Sequence, residues 1–109
     1  MLTCQGLIVI PQNPQLKEFI TDKGDAFFSF HFATFDDRTE KHHQFQGNLW
    51  VAANEIDKWR KRLIPNKVFL LKYAEVSAEY KEADKVPFVQ IKMVSRNLVP
   101  LKLYYDKDK

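Results

Sequence analysis

Trp50, Tyr73, Tyr80 and Phe88 fall on segments with strand character, and Lys72, Lys81, Lys85, Lys92 and Arg96 lie among them. A flat ring can stack on any nucleobase, and a cation beside it can meet the phosphate that links that base to the next. Rings interleaved with cations therefore suit sequence-tolerant binding of a single nucleic-acid strand. Phe35 adds a ring at the mouth of a loop that carries Arg38 and Lys41. Each ring also has a plainer use, in a core or at a subunit interface, and strand register decides between the two. A slip of one residue in the third long strand exchanges Trp50 and Phe45 with their neighbours between core and surface.

Other chemistries lack their residues. His42 and His43 are adjacent on a strand and point to opposite faces, and the lone Cys4 makes no zinc spacing, so no metal site is expected. Asp22, Asp25, Asp36 and Asp37 sit in turn-forming stretches and form no acid/base pair. With no glycine-rich phosphate loop and no nucleophile motif, neither an enzyme nor a bound cofactor is expected.

Composition bounds the answer further. The chain has 109 residues, enough for one core, and its nine Phe, four Tyr and two Trp are too aromatic for a disordered segment. The single cysteine permits no internal disulfide, as suits a reducing compartment, and no apolar run is long enough to cross a bilayer. A cytoplasmic protein is expected, in the host-cell cytoplasm if the chain is phage-encoded. Net charge is +3, unevenly placed: residues 1–57 hold 4 Lys/Arg against 8 Asp/Glu and residues 58–109 hold 13 against 6, which makes the halves −4 and +7. That asymmetry points to an anionic partner for the second half or to a solvated basic surface.

The elements that must position these residues follow from periodicity. Leu2–Ile10 reads as a strand that bends at Gly6, and Ala26–Phe35 as a strand with Phe28, Phe30 and Phe32 on its core face. His42–Val51 reads as the third strand. Between the first two, Gln15–Thr21 is a short segment followed by a turn at Asp22–Asp25. Asn54–Leu63 is the one helix: Asn54 caps it, Glu55 and Asp57 lie near its positive end, basic residues crowd the other, and Ile56, Trp59 and Leu63 form its apolar stripe. Trp59 is expected to pack, and the basic face to be solvated. Pro65-Asn66 stops the helix. Val68–Tyr80 is too long for a flat strand and should curve; Val86–Val94 pairs back with Val89, Ile91 and Met93 inward, and Asn97–Tyr105 is an apolar tail. Three strands, a helix and a long hairpin predict an all-β domain with one helix: a five-stranded OB-fold Greek-key barrel, its helix between strands three and four. Residues 1–105 would form this single domain and 106–109 a short charged end.

Several stretches resemble bacterial and phage single-stranded DNA-binding proteins. Gly6-Leu7-Ile8-Val9 followed by Asn13-Pro14-Gln15-Leu16-Lys17 is similar to that family's first strand and turn. Gly24, Phe30, Phe32 and Ala33-Thr34 resemble its second strand, and Trp50 with Asn54-Glu55 its passage into the helix. The likeness runs from Gly6 to Leu101. It implies a non-catalytic binder of single-stranded DNA in replication or recombination, working as a homo-oligomer, dimer or tetramer. The departures are Pro65-Asn66 in place of Lys-Gly, Lys72 where a glycine is usual, a short loop after Phe35, and an end in Asp-Lys-Asp-Lys without the acidic tip that recruits partner enzymes. A tail-less member is therefore expected. Two alternatives remain open: an OB-fold protein–protein adaptor of a primosome or replisome, and an OB-fold binder of RNA, whose 2′-hydroxyl is read by geometry rather than composition.

Overall fold

The computed structural model describes residues 1–36, 41–80 and 87–102, excepting the side chains of residues 35, 36, 41, 42, 79, 80, 87 and 88. Its strands are β1 (Leu2–Val9), β2 (Lys17–Ile20), β3 (Ala26–Asp36), β4 (Lys41–Val51), β5 (Val68–Tyr80), β6 (Pro87–Val94) and β7 (Leu98–Pro100). Helix α1 (Ile56–Arg62) follows a 3₁₀ turn at Ala53–Glu55, and a second such turn covers Ser95–Asn97. Five strands run β1–β3–β4–β6–β5, and β5 pairs back with β1 to close a ring. Every pairing in the ring is antiparallel except β4 with β6. This is the OB-fold that the order of elements predicts, with α1 between the third and fourth strands of the ring.

Alternation along the strands builds the core. Ala26, Phe28, Phe30 and Phe32 of β3 point into the ring and are buried, and Leu49 and Val51 of β4 meet them there with Phe69 and Leu71 of β5 and Ile91 and Met93 of β6. Gly47, between them on β4, leaves room for its neighbours. A Cβ there would lie 2.6 Å from Met93 Cε and 3.0 Å from the Phe32 ring. The methionine end can swing away but the buried ring has little room, so Gly47→Ala should cost about 1–2 kcal/mol in chemical denaturation; an unchanged midpoint would show that the core gives freely.

Two stretches beyond the five expected strands also form strands. The Gln15–Thr21 segment contains β2, which lies along β3 from Lys17 opposite Ser29 to Ile20 opposite Ala26, and the apolar tail contains β7, paired with β5. Val89 does face inward as expected, but at an open end of the ring, where it is exposed with Phe45. Phe45 stacks on Phe32 with centroids 5.8 Å apart.

The predicted curvature of the long strand has a definite place. Cys4 opposes Ala74 and Gly6 opposes Leu71, so Lys72 and Tyr73 together face the single residue Gln5. This bulge changes which residues of β5 point inward, from Phe69 and Leu71 to Ala74, and leaves Lys72 and Tyr73 both exposed. Gly6 adopts φ +147°, a conformation costly for any residue with a Cβ, and so supplies the bend in β1 beside it.

The helix is capped differently from the sequence expectation. Asn54 lies inside the 3₁₀ turn and gives no side-chain cap; the Ala53 N–H instead donates to Asp25 Oδ1 at 3.1 Å. A carboxylate from the turn before β3 thus satisfies an end group that local sequence assigned to Asn54, and it sits at the end of the helix that favours negative charge. At the other end Leu63 closes the helix, its N–H donating to Trp59 O at 3.0 Å, and in the turn beyond it Asn66 takes φ +71°, the left-handed position that asparagine tolerates better than most residues with a side chain. The helix has thus already ended at Arg62, and Pro65-Asn66, expected to stop it, instead shapes the turn that leads into β5. Trp59 and Leu63 are buried and Ile56 packs against the core, as the apolar stripe predicts. No helix among the described residues is long and apolar enough to cross a membrane.

Candidate nucleic-acid interface

The outer face of the sheet carries rows of side chains set by strand register. Phe19 on β2 lies opposite Phe27 on β3, Phe27 opposite Trp50 on β4, and Trp50 opposite Val94 on β6. The row holds three rings because each strand presents its outward residue at the same level. Phe27 and Trp50 meet edge to face with centroids 4.4 Å apart and rings inclined at 73°. Phe19 remains 55% exposed and Phe27 39% exposed, which is unusual for large aromatic side chains in a sheet and leaves their surfaces open to a ligand.

The next row runs Lys17, Ser29, Asn48, Lys92 and Glu75 across β2, β3, β4, β6 and β5. The one after it holds His31, Gln46, Gln90 and Ser77. Amides join the two rows: Gln46 Nε2 donates to Ser29 Oγ, and Asn48 Nδ2 donates to Gln90 Oε1 at 3.2 Å. The polar groups are therefore held in place before any ligand arrives. A groove of about 700 Å³ lies over the first two of these rows, with Trp50 and Phe27 on one side, Tyr73 and Glu75 on the other, and Arg96 and Asn97 from the second 3₁₀ turn at its margin. Tyr73 is exposed at the bulge, which aims it into the groove, and its hydroxyl contacts Met1 Sδ at 3.5 Å.

Of the residues singled out by sequence, Trp50, Tyr73, Lys92 and Arg96 converge on this groove. Lys72 is exposed on the bulge but does not line it. Arg38, Lys81 and Lys85 lie outside the described residues, as do the side chains of Phe35, Lys41, Tyr80 and Phe88 and the charged end at 106–109. Sequence reasoning missed Phe19, Phe27, Ser29, Asn48 and Glu75. The available signal was Phe27 itself, a ring on the strand face opposite the Phe28, Phe30 and Phe32 core set.

No cluster of three or more His, Cys, Asp or Glu side chains among the described residues could hold a metal ion. Cys4 lies away from the groove, and burial pushes its thiol pKa up, which makes it a poor nucleophile. Rings, amides, one carboxylate and two cations line the groove.

No protein-family model matches the chain, and no curated protein matches its sequence. Solved structures do match its fold. A Plasmodium falciparum SSB in complex with ssDNA superposes with a TM-score of 0.57 over 94% of this chain and 96% of that one, at 17% identity. A deletion mutant of the single-stranded DNA binding protein from Thermus aquaticus superposes with a TM-score of 0.54 over 94% of this chain at 14% identity, and this chain covers 52% of its length. At such identities the likeness establishes a shared OB-fold.

Proposed function

We propose that this protein is a non-catalytic, sequence-tolerant single-stranded DNA-binding protein that acts in replication or recombination. The observation that carries the reading is the registered row of Phe19, Phe27 and Trp50 on the outer face, the first two exposed and Trp50 half-buried, beside Lys92 and Arg96. Unpaired bases can lie on these rings, while phosphates approach the cations at the groove's margin. Duplex DNA hides its base faces in the stack and gains little from the rings. The OB-fold shared with an SSB solved in complex with ssDNA supports the same reading.

Titration of tryptophan fluorescence tests it. Oligothymidine should quench the signal from Trp50 at low salt, and affinity should fall as salt rises because phosphate contacts release counterions. Duplex DNA of equal length should bind much more weakly. Single-stranded RNA in the third arm separates a DNA binder from a general single-strand binder. Absence of any single-strand affinity at low salt would end the proposal and leave the adaptor reading.

A homo-oligomer belongs to the same proposal. Leu7 on β1 lies directly opposite Leu70 on β5, and both side chains are exposed on the outside of the ring. Apolar surface of this kind favours a second copy. Sedimentation at micromolar concentration should return at least twice the chain mass, and a mass of one chain would remove this part of the reading.

A further inference from the structure

The cations of α1 divide by direction. Arg60 turns toward β2, where its Nε and Nη2 donate to Glu18 at 3.1 and 2.7 Å and its Nη1 donates to Asp57 at 2.7 Å. That guanidinium already has two carboxylates. Arg62 turns the other way and lies over the Trp59 ring, 5.0 Å from its centroid. With Lys58 it lines a cleft of about 280 Å³ between α1 and the 95–100 segment, whose far wall includes Ser95 and Arg96. The one acid in the cleft, Glu55, is paired with Lys58 at 2.9 Å. Arg62 and Arg96 form no ion pair among the described residues, so the cleft has positive charge to spare.

Arg96 lines both this cleft and the aromatic groove. The two therefore meet at Arg96, on the Ser95–Asn97 turn that separates them. We propose that a bound single strand leaves the groove past Arg96 and lays its next phosphates in the cleft against Arg62 and Lys58, so that its footprint extends from the outer face of the sheet onto the helix. This inference rests on the groove being the single-strand site. The chemistry is that of guanidinium and phosphate: Arg62 offers donors from a side chain already restrained over Trp59, and it loses less freedom on binding than an unsupported arginine would. The chain's basic helix thereby acquires a role on one side, while Arg60 on the other side ties β2 to α1.

The test compares labelled oligothymidines of about 4 and about 16 nucleotides, the two ends of the footprint range for OB-folds, by fluorescence anisotropy with the variants Arg62→Gln, Lys58→Gln and Arg60→Gln. Protein is kept limiting so that no strand carries two copies. Arg62→Gln should lower affinity for the longer strand several-fold and reduce its slope of log affinity against log salt by about 0.7, the value for one phosphate contact to a single strand. The short strand, held in the groove, should be unaffected, and Arg60→Gln should leave both unchanged. Arg62→Gln also removes the cation over Trp59; if that variant does not fold, Lys58→Gln decides, since its ammonium bridges only an exposed carboxylate. An unchanged slope for the longer strand in the folded variant, or an equal loss with Arg60→Gln, overturns the cleft as a phosphate path. Failure of the parent to bind the short strand instead overturns the groove, which is a different result.

Discussion

Trp59→Ala is expected to cost about 3–5 kcal/mol of folding stability, in the range of large aromatic truncations in a core. Trp59 is 1% exposed, stacks on Phe69 with centroids 6.1 Å apart and lies under Arg62. It is the largest fully buried side chain, and it carries the attachment of α1 to the ring. Domains of this kind are stable by only about 5–15 kcal/mol, so the loss removes a large share of the total. Urea denaturation would show it as a fall in midpoint with little change in slope. Trp59→Phe provides the comparison: Trp59 Nε1 has no hydrogen-bond partner among the described residues, so phenylalanine keeps much of the packing and removes an unsatisfied donor. That variant should lose less than about 1.5 kcal/mol. A loss below about 1 kcal/mol for the alanine variant would mean that α1 is a passive cover.

Much of this architecture could be read from local pattern. The Phe28, Phe30 and Phe32 alternation identifies a core face, and Ile56, Trp59 and Leu63 mark the buried stripe of the helix, because both signals lie within a few residues of chain. β2 and β7 escape such reading for a simple reason: at four and three residues they are too short to show a period, and they exist because neighbouring strands offer unpaired edges. The bulge at Lys72 and Tyr73 has no glycine or proline of its own; its trace is Gly6, on the partner strand. Capping of the helix turn fails for a related reason, since Asp25 reaches Ala53 across 28 residues. The candidate site was legible only in part. Trp50, Tyr73, Lys92 and Arg96 stand out by type, yet Phe19 and Phe27 join them only through pairing between strands that no local window contains. The basic helix looked uniformly solvated because the Glu18–Arg60 pair also depends on that hidden strand.

The same pairing governs the largest expected effect on binding. Trp50→Ala should lower affinity for oligothymidine by about 1–3 kcal/mol, the range for one base–aromatic stack, with similar losses on other single-strand sequences because stacking does not read base edges. Phe27→Ala should also weaken binding, since Phe27 presents its own open surface and meets Trp50 edge to face at 4.4 Å. Removing either ring leaves the other less well oriented. The two losses should therefore not add: the double variant should lose less than the sum, with a coupling of about 0.5 kcal/mol or more, as for residues in direct contact. Both side chains sit outside the core, so stability should fall by much less than for Trp59→Ala and the oligomeric mass should not change. The adaptor reading expects the reverse pattern, with single-strand affinity absent in the parent and the rings needed to hold a protein interface together. Folded Trp50→Ala protein that binds oligothymidine as tightly as its parent would remove base stacking from this row.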